Sequence, residues 1–258
     1  AFLGAGIDHR EESPFRRNVQ GAVAWLVAHQ DEDGCFGPQQ GQYFYNHGIA
    51  TMAIAEAAAL TKDGELLGAT ARAVRFIERG QQAGGGWDYT RAKTQRNDLS
   101  VTGWQVMALH SARAADAPIQ ARTWTRLEEY LARAVRPDGS ATYADRGTGE
   151  GRQGVSIAAV GLLSRLYLGW SPRSAETKRA AVRLVRAGPD PDGRADWERT
   201  YQSIYYWYYA TLALFHVGGE PWEAWNLYLK RTVLPLQNRA GELEGSFDPD
   251  PNWIGAAG

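Results

Sequence analysis

The sequence predicts an all-α protein, an α/α toroid of about five helical-hairpin repeats that forms one domain over residues 1–258. The first observation is a glycine that recurs at steps of 51, 54, 54 and 52 residues, at Gly34, Gly85, Gly139, Gly193 and Gly245. The second is that a charged helical segment precedes each glycine, and an apolar segment follows the first four. A period of about 50 residues is typical of repeat proteins, in which no single unit buries its own apolar face.

Five amphipathic segments with charged outer positions are predicted to form the outer helices. In the first segment, Val19, Val23, Leu26 and Val27 recur at helical spacing, so they share one apolar face. Asp-Gly pairs and prolines follow several segments, and both residue types stop a helix. The predicted outer helices are Asn18–Gln30, Ala69–Gln81, Thr123–Val135, Ala175–Ala187 and Trp222–Leu236.

Four further segments are apolar on nearly all sides, and a helix of that kind belongs in the interior. They alternate with the outer helices along the chain, so we expect them to form an inner ring around a central cavity. The predicted inner helices are His47–Leu60, Leu99–Ala112, Val155–Gly169 and Ser203–Val217.

The two ends of the chain predict an incomplete ring. Ala1–Gly6 is similar to the end of the fourth inner helix, Leu214–Gly219, and Phe247–Gly258 stops where a fifth inner helix would begin. Apolar flanks at such a gap would form an exposed patch of the kind that marks an association surface. We therefore expect either a missing flanking segment or a homo-oligomer that buries the gap.

Composition narrows the possible partners. Lys and Arg total 28 and Asp and Glu total 29, so the basic surplus of a nucleic-acid-binding protein is missing. The single cysteine excludes an internal disulfide and favours a reducing, cytoplasmic location. Apolar runs of about 10 residues are too short to span a bilayer, while attachment to a membrane surface stays open.

The glycine junctions carry a recurrent motif. The pattern Gln-x-x-x-Gly-x-aromatic begins at Gln30 and Gln81, degenerate forms surround Gly139 and Gly193, and a stretched form begins at Gln237. It resembles the repeat motif of the terpenoid cyclase and protein prenyltransferase superfamily, which includes the squalene–hopene cyclases, and the resemblance covers essentially the whole chain. It implies a toroid in which each glutamine caps an outer helix and each aromatic ring stacks over the next repeat.

The same resemblance implies a catalytic position at the start of an inner helix. The cyclases use Asp-x-Asp-Asp-Thr, whose central aspartate protonates the polyene, and the matching residues here are Asp98, Leu99, Ser100, Val101 and Thr102. A serine hydroxyl is too weak an acid to protonate an alkene. Asp98 is therefore either a displaced catalytic acid or the N-cap of the inner helix.

Aromatic and polar residues on the inner helices are the candidate ligand-binding residues. Five consecutive aromatic residues begin at Tyr205, and since they cannot all face a cavity, some are expected to pack between helices. His47 is placed with Asp98 at a shared rim. The candidates are His47, Trp104, Tyr205, Tyr206, Trp207 and Tyr209.

No cofactor or metal is expected. The zinc prenyltransferases of this fold use Asp, Cys and His on one metal, and the only thiol here, Cys35, lies inside the first junction. The related thioester proteins use Cys-x-x-Gln, but Pro38 occupies the glutamine position.

The sequence thus predicts a terpenoid-cyclase-like protein that binds an apolar, isoprenoid-type ligand in its cavity without squalene-type protonation. One alternative is an active cyclase, an isomerase that uses Asp98 or another carboxylate such as Glu56 as its acid. The other is a non-catalytic scaffolding toroid. A buried carboxylate with a raised pKa facing the cavity would favour the enzyme.

Overall fold

The computed structural model describes residues 2–188 and 203–247. Within these ranges the regular structure is helical, with isolated bridges and no strand, which confirms the all-α prediction. In the described part of the chain, two 3₁₀ turns, Leu3–Ala5 and Leu234–Leu236, accompany nine α-helices. These are α1 (Arg16–Ala28), α2 (Tyr43–Thr61), α3 (Gly64–Gly80), α4 (Leu99–Ala114), α5 (Ala121–Ala134), α6 (Val155–Tyr167), α7 (Ala175–Arg186), α8 (Ser203–Val217) and α9 (Gly219–Val233).

The chain divides into two compact units. The first consists of Ala1–Ala134 and Tyr143–Arg152, and the second of Val135–Thr142 and Gln153–Gly258. Helices α1 to α5 belong to the first unit, and α6 to α9 belong to the second. The single domain over residues 1–258 stays a prediction.

The predicted inner helices are more buried than the outer helices that follow them, as expected. Helix α4 buries 12 of its 16 residues, whereas α5 buries 5 of 14. In the second unit α6 buries 9 of 13 residues and α7 buries 4 of 12. Helices α2 and α3 differ less, with 10 of 19 and 8 of 17 residues buried, so the separation of core helices from surface helices is clearest from α4 onwards.

Four of the five junctions form the same backbone hairpin. In each, the junction glycine donates to the carbonyl three or more residues before it, and a second bond closes the turn at 2.8–2.9 Å. The closing N–H···O pairs are Asp31–Cys35, Gln82–Gly86, Arg136–Ser140 and Asn238–Ser246. The junction around Gly193 and the predicted break beyond Phe247 lie outside the described residues.

The first three junction glycines press against the next outer helix. Their φ angles lie between +81° and +95°, a region that glycine tolerates best. A Cβ would also collide with that helix: 2.5 Å from the Arg72 carbonyl oxygen at Gly34, 1.9 Å from that of Arg126 at Gly85, and 2.6 Å from the Ala180 Cα at Gly139. Backbone conformation and close packing both account for the repeated glycine.

The junction glutamines connect successive repeats rather than capping their own helices. Gln81 Nε2 donates to the Gly85 carbonyl at 2.9 Å and to the Thr123 carbonyl of α5 at 3.0 Å. Gln30 makes the equivalent bonds to the carbonyls of Gly34 and Ala69. The expected capping role is thus corrected, because the bonded carbonyls lie in the turn and in the following outer helix.

Trp87 fills the interior of the second junction. Its ring is completely buried, and its Nε1 donates to the Ile77 carbonyl of α3 at 2.8 Å. Its backbone N–H donates to Thr102 Oγ1 of α4 at 3.0 Å. The residue therefore joins an outer helix to the inner helix that follows.

Two side-chain contacts show that α2 and α4 run parallel. Tyr45 OH lies 2.5 Å from Ser100 Oγ, and Ser111 Oγ donates to Glu56 Oε1 at 3.4 Å. Both pairs are 55 residues apart, so the register is the same near both ends of the helices. A parallel pair joined through an intervening helix is the arrangement that stacked helical hairpins require.

Two helices begin four or five residues earlier than predicted. Helix α2 begins at Tyr43 instead of His47, because the Phe44 ring packs on Phe76 and its N–H donates to the Tyr89 carbonyl. Helix α3 begins at Gly64, because Asp63 is its N-cap and accepts from the N–H groups of Glu65 and Leu66. Only the Asp63 N-cap is a signal carried by the local sequence.

Candidate functional site

Asp98 is the N-cap of α4. Its Oδ1 accepts from Ser100 N at 2.8 Å and from Val101 N at 3.3 Å, and the side chain is completely buried. These bonds satisfy N–H groups that a helix start otherwise leaves unpaired. Of the two roles predicted for Asp98, the structure shows the cap.

Arg96 holds the other oxygen of Asp98. One Nη donates to Asp98 Oδ2 at 2.7 Å, the other lies 2.5 Å from Asp88 Oδ1, and further bonds reach the carbonyls of Arg146 and Thr148. The groups that contact the Asp98 carboxyl oxygens are thus all hydrogen-bond donors. The Asp98 side chain is therefore held by donors at both of its oxygens.

Ser100 links Asp98 to three tyrosines, which we call the tyrosine cluster: Tyr45, Tyr89 and Tyr143. Ser100 Oγ donates to Asp98 and receives the Tyr45 hydroxyl at 2.5 Å. Tyr143 OH lies 3.4 Å from Ser100 Oγ and 3.2 Å from Tyr89 OH. Burial and the bond to Tyr143 raise the pKa of Tyr89.

Helix α2 exposes an apolar stripe on the face that begins at Tyr45. The side chains on this face are half-buried or exposed, and Ile49 and Leu60 expose 41% and 51% of their surface. Residues spaced three, four and seven apart share one side of a helix. We call this face the open stripe, which consists of Ile49, Met52, Ala53, Glu56 and Leu60.

Trp104 lies beside the open stripe. It is half-buried on α4, and its Cβ is 3.1 Å from the position that a Cβ on Gly48 would take. The absence of a side chain at Gly48 therefore lets α4 approach α2 closely. Trp104 is thus a predicted ligand-binding residue that lies next to the open stripe.

Glu56 is the polar member of the open stripe. Its carboxyl group accepts from Ser111 Oγ, and burial raises its pKa. It is thus a partly buried carboxyl group with a raised pKa. The enzymatic alternative requires in addition that such a group face the cavity, whereas Glu56 lies on the open stripe.

The sequence predicted His47 at a rim shared with Asp98, but the structure places it in the interior. It is completely buried, and burial lowers its pKa to about 4. Nδ1 accepts from Phe36 N at 3.2 Å, so Nε2 carries the proton and faces the Ala73 carbonyl at 3.3 Å. Both nitrogens therefore serve the packing of the first junction against α3.

The aromatic run on α8 belongs to the second unit. Tyr206 donates to the Leu184 carbonyl at 2.5 Å and meets the Trp225 ring edge-on at 5.5 Å, so it packs between helices. Trp207 and Tyr209 are buried, and Tyr205 is half-buried with its ring 4.9 Å from that of Tyr209. The expectation that part of the run serves helix packing is confirmed for Tyr206.

A groove of about 660 Å³ lies on α7 in the second unit. Its lining combines four cationic side chains with three small apolar ones: Lys178, Arg179, Arg183 and Arg186 with Val155, Val182 and Ala187. Two of the cations have carboxylate neighbours, Arg179 at Glu176 and Arg183 at Asp138. The sequence had suggested only a charged outer helix here.

Metal ligation and membrane spanning were checked within residues 2–188 and 203–247. No group of three or more His, Cys, Asp or Glu side chains in this part of the chain is arranged to hold a metal ion. None of its helices combines the length and apolar character needed to cross a bilayer. Cys35 is buried, and burial raises the pKa of its thiol to about 12, so it is a poor metal ligand or nucleophile.

Sequence reasoning missed the partners of Asp98 and Ser100. Arg96 stands two residues before Asp98, but no local pattern pairs it with Asp88. Tyr45 and Tyr143 lie 55 and 43 residues from Ser100. Of these contacts, only the one between Tyr45 and Ser100 could have been found from the sequence, by comparing residues that are one repeat apart.

Comparison with known proteins adds no assignment. No protein-family model matches the chain, and no curated protein sequence matches it.

Proposed function

We propose that the chain is a terpenoid-cyclase-like repeat protein, an α/α toroid whose inner helices bind an apolar, isoprenoid-type ligand without squalene-type protonation. The repeated hairpins, the glycines pressed on the next outer helix and the parallel pair α2 and α4 support this repeat architecture. The ligand class, an isoprenoid, comes from the resemblance of the junction motif to the repeat motif of the cyclases.

The open stripe is the observation that carries the binding proposal. Ile49 and Leu60 leave 41% and 51% of their surfaces exposed on a helix whose other faces are in the core. From Ile49 to Leu60 the stripe extends about 16 Å along the helix axis at the usual rise per residue. A continuous exposed apolar surface with an aromatic side chain, Trp104, at its edge favours contact with an apolar ligand.

The contacts of Asp98 support the absence of protonation chemistry. Its carboxyl group is held by Arg96, by Ser100 and by the backbone of α4, and these are donors only. Ser100, at the position of the cyclase acid, is itself a donor to Asp98. The polar cluster therefore fits a structural role at the start of α4.

Ligand binding is tested by equilibrium dialysis with farnesene, an isoprenoid hydrocarbon. We expect Ile49→Glu to weaken binding roughly tenfold, because an unpaired carboxylate does not tolerate apolar contact. Leu227→Glu is the matched control, since Leu227 is similarly exposed, at 53%, on α9 and should leave binding unchanged. Equal binding by the wild type and Ile49→Glu would exclude the open stripe as the site.

The chemistry is tested by incubation with squalene and product analysis. We expect no cyclised product. Cyclisation that is lost in Asp98→Asn would make Asp98 the acid and establish the active cyclase. If the wild-type protein binds no isoprenoid, the non-catalytic scaffolding toroid is the alternative that stands.

A further inference from the structure

Helix α1 is an outer helix against which the described structure places no junction. On α3, α5 and α7, a junction glycine presses thirteen residues before the glycine of the helix's own junction. The three contact positions are Arg72, Arg126 and Ala180. The equivalent position on α1 is Gly21, which is exposed, and no described residue comes within 4 Å of the place that a Cβ there would occupy. The position that receives a junction on the other three helices is therefore open on α1.

Trp25 is exposed where its counterparts on the other outer helices are buried. It stands nine residues before its junction glycine, as Phe76, Tyr130 and Leu184 do on α3, α5 and α7. Those three side chains are at most 3% exposed, whereas Trp25 is 58% exposed. Tyr130 shows what covers this position, since its Cβ is 3.2 Å from the place that a Cβ on Gly85 would take. An exposed indole beside an exposed glycine thus forms a face that lacks its junction.

The fifth junction, around Gly245, lacks the complementary partner. Gly245 has a φ of +84°, like the other junction glycines, but no described residue lies within 4 Å of the position of a Cβ. Gln237 Nε2 donates to the Gly245 carbonyl at 2.7 Å, which is the turn bond that Gln81 makes at the second junction. Gln81 also bonds the next outer helix, whereas among the described residues the Gln237 side chain makes the turn bond alone. The hairpin is formed, and its outward contacts are not.

We propose that the fifth junction of one copy of the chain packs against the face of α1 in a second copy. Gly245 then meets Gly21 beside the Trp25 ring. Gln237 donates to the carbonyl of Asn18, which stands where Thr123 stands on α5, sixteen residues before the junction glycine. The association is independent of ligand binding.

Three contacts within the chain support this choice of partner. A junction of this sequence packs on an outer helix of this sequence at α3, α5 and α7, so the contact between copies needs no new geometry. Burial of a large exposed indole favours association. The two surfaces differ from each other, so the contact is head-to-tail, and successive copies form a closed ring or a filament.

Sedimentation velocity at increasing protein concentration tests the face of α1. The wild type should associate, and Trp25→Glu should remain a monomer, because the contact would bury an unpaired carboxylate. Phe215→Glu is the matched control, since Phe215 is similarly exposed, at 60%, on α8 and should leave association unchanged. Circular dichroism verifies that each variant folds. A wild type that stays monomeric, or a Trp25→Glu variant that associates like the wild type, would overturn the inference.

A pair of glycine variants tests the fifth junction. Gly245 and Gly241 both have a positive φ, of +84° and +81°, and both have nothing within 4 Å of a Cβ. Alanine therefore strains the backbone equally at the two positions, but only at Gly245 does its methyl group collide with a docked helix. Gly245→Ala should weaken association at least roughly tenfold, while Gly241→Ala should not. Equal association of the two variants would contradict the inference.

A mixture of the two blocked variants tests the head-to-tail contact. Trp25→Glu keeps the fifth junction, and Gly245→Ala keeps the face of α1, so each supplies the surface that the other lacks. The mixture should form a dimer and no larger species, although each variant alone is monomeric. A mixture that stays monomeric, or that assembles beyond a dimer, would show that copies associate through other surfaces or not at all.

Discussion

The second and third junctions form the same backbone hairpin with different side chains. At the second, Gln81 and Trp87 occupy the motif positions, and at the third Val135 and Ala141 replace them. The closing bond is nevertheless 2.8 Å in both, and each junction glycine presses against the next outer helix. The hairpin and the glycine are thus the features that repeat.

Other side chains support the third junction. Arg165 of α6 donates to the Val135 carbonyl at 2.6 Å, and Arg179 of α7 donates to the Pro137 carbonyl at 3.2 Å. Arg183 also lies 3.7 Å from Asp138.

The Val135 and Pro137 carbonyls are not the carbonyl groups that Gln81 bonds at the second junction, where Arg126 donates to the Gln82 carbonyl in addition. The comparison teaches that arginines from neighbouring helices hold junction carbonyls whether or not the glutamine is present.

Trp87→Ala should give the largest effect and separate the two junctions most clearly. Removal of a completely buried indole should lower the free energy of unfolding by about 3–5 kcal/mol. Trp87→Phe keeps most of the ring and loses the bond to Ile77, so it should cost less. Chemical denaturation measures both, and a loss below about 1 kcal/mol for Trp87→Ala would contradict a core role.

Gly85→Ala and Gly139→Ala should destabilise the protein by similar amounts, despite the different side chains around them. Each combines a positive φ with a collision against an outer helix, for which we expect about 3 kcal/mol. Gly37 has φ +82° but nothing within 4 Å of a Cβ. Gly37→Ala should therefore cost only about 1 kcal/mol, the backbone contribution.

Gly85→Ala and Gly37→Ala with equal costs would show that close packing contributes nothing. A tolerated Gly139→Ala beside a damaging Gly85→Ala would show that the third junction is not equivalent to the second.

His47 should make the first junction sensitive to pH, whereas the second has Thr102 in the corresponding role. The pKa of His47 is about 4 in the folded protein and about 6.5 unfolded, because burial disfavours the charged ring. As pH falls through 6.5, His47 therefore binds a proton in the unfolded chain, whereas in the folded chain its ring stays neutral. Stability should be full above pH 6.5 and fall by up to about 3 kcal/mol towards pH 4.

The measurement is the difference in pH dependence between the wild type and His47→Gln, because other groups titrate equally in both. The variant should unfold more easily at pH 7 and lose less stability on acidification. Parallel stability curves would contradict the burial of a neutral His47.

Gln81→Ala should have the smallest effect of the series. The loss of two bonds to buried carbonyls should cost about 1–2 kcal/mol. Arg179→Ala, at the third junction, removes an exposed contact and should change stability by less than about 0.5 kcal/mol. A larger loss for Arg179→Ala than for Gln81→Ala would reverse the assignment of strong and weak connections.

The sequence by itself determined the helical class, the order of surface and core helices and the positions of the junctions. These follow from local signals: apolar residues at helical spacing place one face inside, and a glycine permits the left-handed turn. Helices α4, α6, α7 and α8 accordingly begin where the pattern predicts.

Only the tertiary structure decided what the candidate residues do. Asp98 caps α4 against Arg96, and His47 turns into the first junction, because their partners come from separate segments of the chain. Glu56 meets Ser111 only because α2 and α4 run parallel in register. Contacts between residues distant in the chain depend on which helices pack side by side, and no local propensity encodes that choice.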